Sequence, residues 1–225
     1  MRNTVKQSLG FGIGAVGKDM VYAFVSGFIL YYYNDILGIS GTFTGVMMMA
    51  ARVFDAFNDP LMGVVVEKTN TRFGKFRPWI LTGTLTNALI LYGMFAMPTS
   101  ITGTRMLVYA SIAYVLWGIT YTLMDIPFWS MIPAITSPGK ERENLSVIGR
   151  SCAAVGYAVP TVLTMLLVVR LGSSEREGFS IFASGIAVIF VITELICVAL
   201  VKEKQADRQQ SPSVKEMFSA LIHND

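Results

Sequence analysis

Residues 179–201 read FSIFASGIAVIFVITELICVALV, an apolar run interrupted by one charged side chain, Glu194. An α-helix of this length spans about 35 Å, which is enough to cross about 30 Å of bilayer hydrocarbon. Five more apolar runs of similar length precede it, at residues 10–33, 42–66, 78–97, 105–133 and 143–169. The sequence therefore predicts an all-α membrane protein, with a bundle of six transmembrane helices over residues 1–201.

Composition supports a bilayer as the solvent. Hydrophobic residues make up 53% of the chain, charged residues only 15%, and the mean hydropathy is +0.54, outside the usual range for soluble domains. The net charge of +3 comes without a basic stripe or zinc-ligand spacing, so nucleic acid is not an expected partner. Cys152 and Cys197 lie in apolar runs, where they are expected to pack as small hydrophobic residues.

Lysine and arginine are unevenly distributed between the two sets of short loops. One side carries twelve of them and the other only Arg105, Arg170 and Arg176. The twelve are Arg2, Lys6, Lys68, Arg72, Lys75, Arg77, Lys140, Arg142, Lys202, Lys204, Arg208 and Lys215. By the positive-inside rule, both termini are predicted to be cytoplasmic. Tyr31, Tyr32, Tyr33 and Trp79 are expected at the membrane interfaces, as aromatic belt residues.

Residues 202–225 are predicted to form a separate cytoplasmic linker. Ser211 and Pro212 suit the start of a short amphipathic helix whose apolar residues recur at helical spacing from Val214 to Ile222. The only histidine of the chain, His223, lies in this linker, and no histidine, serine or cysteine constellation accompanies the buried acids. An enzymatic activity is therefore not expected.

Besides Glu194, seven charged side chains fall inside the apolar runs. They are Lys18, Asp19, Arg52, Asp55, Asp59, Asp125 and Arg150. At about 3 kcal/mol each, unpaired charges at the bilayer centre would cost roughly 20 kcal/mol, more than the net stability of a typical domain. We therefore expect these groups to pair or to face water. Four carboxylates against three cations leave one negative charge, which a single monovalent cation would neutralise.

Spacing in the second run indicates where that cation binds. Asp55, Asn58 and Asp59 lie at positions i, i+3 and i+4 and so share one helical face with Arg52. Side-chain oxygens are the ligands that Na⁺ and Li⁺ prefer. Thr122 in the fourth run either completes this cation shell or bonds to a carbonyl of its own helix.

A second group of residues suits a sugar. Carboxylates accept hydrogen bonds from paired hydroxyls, and an aromatic ring packs on the apolar face of a sugar. Asp19 in the first run, Asp125 and Trp129 in the fourth and Arg150 in the fifth offer this combination. Pro60, Pro127 and Pro133 interrupt helix regularity nearby, as occurs around transporter cavities. These residues predict a sugar site next to the cation site.

Five motifs of the sequence match one known family. They are GKD at 17–19, YYYND at 31–35, ARVFDAFNDP at 51–60, RFGKFRPW at 72–79 and YTLMDIPFWS at 121–130. In these motifs the chain resembles the glycoside-pentoside-hexuronide:cation symporters, and within that family the melibiose carriers are the most similar. The resemblance extends from about residue 8 to the end of the sequence.

The resemblance implies a function and a role for each matching residue. It implies the N-terminal bundle of a major facilitator superfamily transporter in a bacterial inner membrane, coupling uptake of a galactoside to Na⁺, Li⁺ or H⁺, with no other cofactor. Asp19 and Asp125 match carboxylates that hold galactosyl hydroxyls, and Lys18, Tyr121, Trp129 and Arg150 match residues around the sugar. The cation ligands of the family match Asp55, Asn58, Asp59 and Thr122, with Arg52 beside them.

Several points stay open at the level of sequence. Ser26 replaces a tyrosine expected in melibiose carriers, which leaves the identity of the sugar open. A whole symporter has about twelve helices, so the second six-helix half is an expected partner and the chain alone is expected to be incomplete. A channel or scaffold in which the charges only line water is the alternative to a symporter. The role of Glu194 is unassigned.

Overall fold

The computed structural model of the chain describes residues 2–203, and these form six helices and no β-strand. The helices are α1 (Arg2–Tyr31), α2 (Gly41–Lys68), α3 (Arg77–Phe95), α4 (Thr104–Ile135), α5 (Lys140–Leu171) and α6 (Glu175–Leu200). A π-helical turn, Tyr32–Ile36, extends α1. All six predicted runs are therefore helical. The amphipathic helix predicted from Ser211 onward lies outside the described residues.

Four stretches in this part of the chain are long and apolar enough to cross a membrane: Val5–Ile36, Thr104–Ile135, Lys140–Leu171 and Glu175–Leu200. The remaining two helices, α2 and α3, do not meet the same criteria. Their sequences explain this, because α2 carries Arg52, Asp55 and Asp59, whereas α3 is short and contains several threonines and Asn87. That all six helices cross the bilayer stays a prediction.

Alternate connections lie at the same end of the bundle. At one end, the Tyr31 hydroxyl donates to Glu175 at 2.8 Å and Arg176 donates to the carbonyl of Met97 at 2.8 Å. At the other end, Gln7 donates to the carbonyl of Lys202 and Arg77 donates to that of Val198. These contacts place the connections they join in the same two sets that the charge distribution predicted.

Close packing of α1 against α5 and α6 depends on glycines. A Cβ atom on Gly156 of α5 would overlap the carbonyl of Val16, and one on Gly17 of α1 would overlap the side chain of Thr193. Small residues at these positions let the helix backbones approach, which is a common way of packing helices in membranes. The site residues on α1 are therefore held at fixed positions relative to α5 and α6.

Contrary to the prediction from sequence, Tyr32 and Tyr33 are not aromatic belt residues facing the membrane interface. Both side chains are fully buried in the bundle. Their hydroxyls donate to the carbonyls of Phe95 at 2.7 Å and Ala110 at 3.1 Å, which ties the end of α1 to α3 and α4. A buried tyrosine needs a partner for its hydroxyl, and backbone carbonyls near the helix ends supply one.

Candidate functional site

A buried lysine on α1 joins two of the predicted sugar-site carboxylates. Lys18 is 2% exposed, and its Nζ donates to Oδ1 of Asp125 at 2.5 Å and lies 2.9 Å from Oδ2 of Asp19. The second contact is an ion pair by distance, but it is not aligned as a hydrogen bond, and no other described group bonds to this oxygen of Asp19. Asp19 therefore keeps the capacity to accept a hydrogen bond from a ligand.

Aromatic rings surround this ion-pair group. The Lys18 Nζ lies 4.9 Å from the ring centroid of Trp129 and 5.8 Å from that of Tyr121, whose hydroxyl donates to the Lys18 carbonyl at 3.4 Å. Arg150 on α5 is exposed, and its guanidinium carbon lies 4.2 Å from the ring centroid of Trp129. The structure thus places the six predicted sugar-site residues in one continuous network of contacts.

The predicted cation ligands bring α2 and α4 together. The Thr122 hydroxyl donates to Oδ1 of Asp59 at 3.0 Å, so it bonds to another helix and not to a carbonyl of its own. Arg52 lies 3.5 Å from Oδ2 of Asp55, with 53% of the arginine side chain exposed. Asn58 is half-buried and does not line the cleft between α1, α2 and α4 that the other three ligands share. Three of the four predicted cation ligands therefore face one space.

One cleft contains residues of both groups. It lies between α1, α2 and α4, and its lining consists of Tyr22, Arg52, Asp55, Asp59, Trp117, Gly118, Tyr121, Thr122, Asp125 and Ile126. Tyr121, Thr122 and Asp125 occupy about one turn of α4, so this single turn contributes to both the sugar network and the cation group. A change in the position of α4 would thus affect both.

Trp117, Gly118 and Tyr22 are cleft residues that the sequence analysis did not identify. The indole of Trp117 lies 5.5 Å from the Tyr121 ring, and the Tyr22 ring lies 5.6 Å from the Tyr121 ring. The indole nitrogen of Trp117 is buried and has no hydrogen-bond partner within residues 2–203. The spacing of Tyr114, Trp117 and Tyr121, at i, i+3 and i+7, is the signal in the sequence that indicates this aromatic face.

The intramembrane charges are distributed as the sequence led us to expect. Lys18 pairs with two carboxylates and Arg52 with Asp55, while Asp59 accepts from a hydroxyl. Lys18 balances only one of its two acids, and Asp59 has no cationic partner in the described structure. Arg150 contacts a ring instead of a carboxylate and is otherwise exposed. A cation that entered the cleft would meet excess negative charge at Asp59 and around Lys18.

Comparisons with known proteins identify the family of the chain. A model of the family described as MFS/sugar transport protein matches residues 10–225. Among curated proteins, the chain is 31% identical to the inner membrane symporter YicJ of Escherichia coli over 226 residues, covering 99% of this chain and 48% of the relative. It is 30% identical to the isoprimeverose transporter of Lactiplantibacillus pentosus, covering 97% of this chain and 46% of the relative.

The chain is also 27% identical to a lactose permease of Lactobacillus delbrueckii, of which it covers 39%. The chain therefore spans about half the length of the curated relatives it matches. The family model covers most of the chain, and its description and the relatives' names are those of transporters, not enzymes. This chain belongs to the MFS/sugar transport protein family.

Proposed function

We propose that this chain contributes a glycoside site and a monovalent cation site to a cation-coupled sugar symporter. One observation carries the proposal: Thr122 on α4 donates to Asp59 on α2 within the same cleft that Asp125 lines from the next turn of α4. A cation group and a sugar group that share one helix turn can influence each other through that turn. Their proximity supports coupling better than a channel or scaffold role.

On the sugar side, two carboxylates and an aromatic ring act together. Asp19 and Asp125 would accept hydrogen bonds from neighbouring hydroxyls of a galactoside or related glycoside, and Trp129 would pack on its apolar face. Lys18 holds both carboxylates close to the ring. Because Arg150 is exposed, it can leave the Trp129 ring when a sugar enters. Tyr121 closes the other side of the network.

On the cation side, Na⁺, Li⁺ or H⁺ is a transported substrate. Asp55 and Asp59 supply carboxylate oxygens, and Thr122 supplies a hydroxyl whose acceptor lone pairs are still available. Asn58 lies on the same face of α2 and is proposed as a further ligand. Arg52 next to Asp55 limits the excess negative charge, which fits one monovalent ion better than a divalent one.

The negative charge of the cleft carboxylates couples cation binding to sugar binding. With the cation absent, the uncompensated carboxylates oppose ordering of the cleft, because each unpaired charge away from water is costly. A bound cation removes that cost and draws Asp59 and Thr122 together, which orders the turn that carries Asp125. Sugar and cation then bind cooperatively, each raising the affinity of the other by the same factor.

The relatives support this proposal, since their names describe a symporter and carriers of isoprimeverose and lactose. We further propose residence in a bacterial inner membrane with both termini in the cytoplasm, in keeping with the loop charges. A second six-helix half is the proposed partner. It would supply the opposite wall of the cleft, so that a rocking motion of the halves gives alternating access.

The test is equilibrium binding of a labelled galactoside to the purified chain in nanodiscs, with Na⁺ or with choline in its place. The same measurement is made on the chain joined to the C-terminal half of a relative. Asp55→Cys should abolish the stimulation by Na⁺ while membrane insertion is unchanged. Asp35→Asn, at an exposed position in the turn after α1, is the matched control and should keep it.

Sodium-dependent binding by either form supports the proposal, and the difference between them measures what the second half adds. Binding that is equal in Na⁺ and choline for both forms, and that does not change with Li⁺ or with pH, would contradict cation coupling. Full stimulation in Asp55→Cys would remove Asp55 from the cation site. Cation leak through the chain without any sugar binding would favour the channel alternative.

A further inference from the structure

Glu194 lies in the C-terminal third of α6, and neither proposed binding site uses its carboxyl group. Its side chain is fully buried, and neither carboxylate oxygen has a hydrogen-bond partner within residues 2–203. Most other acids in this part of the chain are at least partly exposed, paired or hydrogen-bonded. A charged group in this position needs a specific explanation.

The surroundings of Glu194 follow from the tight contact between α1 and α6. A Cβ atom on Gly14 would lie 2.8 Å from the Cβ of Cys197, and one on Gly17 would overlap Thr193. These contacts lie on either side of Glu194 along α6. They place the segment of α6 that carries Glu194 against the segment of α1 that carries Lys18, and Glu194 does not line the cleft.

The ionisable groups that act on Glu194 come from three helices. Lys18 and Asp19 of α1, Tyr121 and Asp125 of α4 and Cys197 of its own helix are near enough to interact with Glu194 electrostatically. On α3, Arg77 interacts electrostatically with Cys197. Lys18 is thus the cation that influences Glu194, and it is already paired with two carboxylates.

An ionised Glu194 would therefore be a third carboxylate beside one ammonium group. It would also lack any hydrogen bond, in a place without access to water. The cost of burying such a charge is several kcal/mol, and a bound proton removes it. We propose that Glu194 is a proton-binding site: its carboxyl group holds a proton while Lys18 is paired with Asp125.

Lys18 is the exchange partner of this proton site. When the hydroxyls of a ligand occupy Asp19 and Asp125, the ammonium group loses part of its compensation. It then pairs with Glu194: Lys18 gives one N–H proton to water in the cleft that Asp125 lines and takes the proton of Glu194, so the O–H bond of Glu194 breaks and Lys18 keeps its charge. One proton is released for each such exchange, so occupancy of the cleft and protonation of Glu194 are linked.

This inference goes beyond the proposed function, because its test needs neither a sugar nor a coupling cation. Infrared difference spectra of the purified chain in nanodiscs report the carbonyl stretch of protonated carboxyl groups. The spectrum at neutral pH should contain a band that Glu194→Gln lacks, since glutamine has nearly the shape of protonated glutamate. Glu143→Gln, at an exposed position in the first turn of α5, is the control and should leave the band unchanged.

Exchange with Lys18 is tested by two further variants. In Asp125→Asn, Lys18 loses the carboxylate that accepts its hydrogen bond and keeps only Asp19. The Glu194 band should then disappear at neutral pH, when compared with the double variant that also carries Glu194→Gln. In Lys18→Met, the band should persist to a pH about one unit or more higher than in the wild type, because the cation that favours the carboxylate is gone.

Each outcome decides part of the proposal. A wild-type spectrum identical to that of Glu194→Gln over this band would overturn the proton site. A Glu194 band that remains in Asp125→Asn, and that disappears at the wild-type pH in Lys18→Met, would overturn the exchange. Circular dichroism and gel filtration show whether each variant is folded. If Asp125→Asn does not fold, the pH series of Lys18→Met alone decides the exchange.

Discussion

At the scale of single residues, the site depends on a few polar contacts between helices. Thr122 is the most informative of these because it bonds to Asp59 on another helix, although spacing alone left a bond to its own helix equally open. Lys18 is similar, since its partner Asp125 is distant in sequence. These contacts decide which acids are compensated and which remain able to bind a ligand.

Thr122→Val is expected to weaken the stimulation of galactoside binding by Na⁺ about tenfold. Valine keeps the shape of threonine but removes the hydroxyl, and the loss of one such ligand or hydrogen bond is worth about 1 kcal/mol or somewhat more. Galactoside binding as a function of Na⁺ concentration measures the change. Thr161→Val is the control, because that exposed hydroxyl bonds only to the Tyr157 carbonyl of its own helix. Equal sodium dependence in both variants would contradict the role of Thr122.

At the scale of the elements, a carboxylate after α6 holds the N-terminus of α3. The Glu203 carboxylate accepts from the backbone N–H groups of Lys75 at 2.6 Å, Phe76 at 3.0 Å and Arg77 at 3.1 Å. These donors have no partner within the helix, and negative charge is favourable at a helix N-terminus. Gly74, with φ +109°, is required here, since a Cβ atom would meet Oε1 of Glu203 at 2.5 Å.

Glu203→Ala should release this contact. The amides of Lys75, Phe76 and Arg77 are expected to exchange hydrogen with solvent faster, because their shared acceptor is lost. Hydrogen exchange read by mass spectrometry over the α2–α3 connection measures it. Lys202→Ala changes the exposed neighbouring side chain and should leave the exchange as in the wild type. Unchanged protection in Glu203→Ala would show that other contacts hold the start of α3.

Gly156 tests the contact between α1 and α5. An alanine methyl group would overlap the Val16 carbonyl, so Gly156→Ala should destabilise the bundle by about 1–3 kcal/mol, as overpacking does. Gly185→Ala in α6 is the matched control, because no atom lies within 4 Å of its Cβ position. Thermal unfolding in detergent compares the two variants. A Gly156→Ala midpoint equal to that of the control would mean that the helices separate at little cost.

At the scale of the whole molecule, the bundle has two chemically different ends. Contacts such as Tyr31 with Glu175 gather one set of loops, and contacts such as Glu203 with Arg77 gather the other. The same division appears in the lysine and arginine counts. An antiparallel bundle therefore places all the strongly basic connections at one end, which the positive-inside rule assigns to the cytoplasm.

That assignment predicts the labelling of single cysteines. With Cys152 and Cys197 replaced by alanine, Ser100→Cys in the α3–α4 connection should react with a membrane-impermeant maleimide in intact cells. Ser137→Cys in the α4–α5 connection should react only after permeabilisation. Both positions are exposed, so the side of the membrane on which each cysteine lies, and not burial, decides whether it reacts. Labelling in the opposite order would reverse the orientation, and labelling of both in intact cells would contradict six crossings.

The sequence by itself determined the helices, their approximate ends, the separation of basic loops and the shared face of Asp55 and Asp59. These are local properties, set by hydropathy over one turn to one span and by the 3.6-residue helical period. The tertiary structure decided the inward direction of Tyr32, the pairing of Lys18 with Asp125, the capping of α3 by Glu203 and the burial of Glu194. Those features depend on how each helix is rotated and which neighbour it meets, and packing between residues far apart in sequence fixes both.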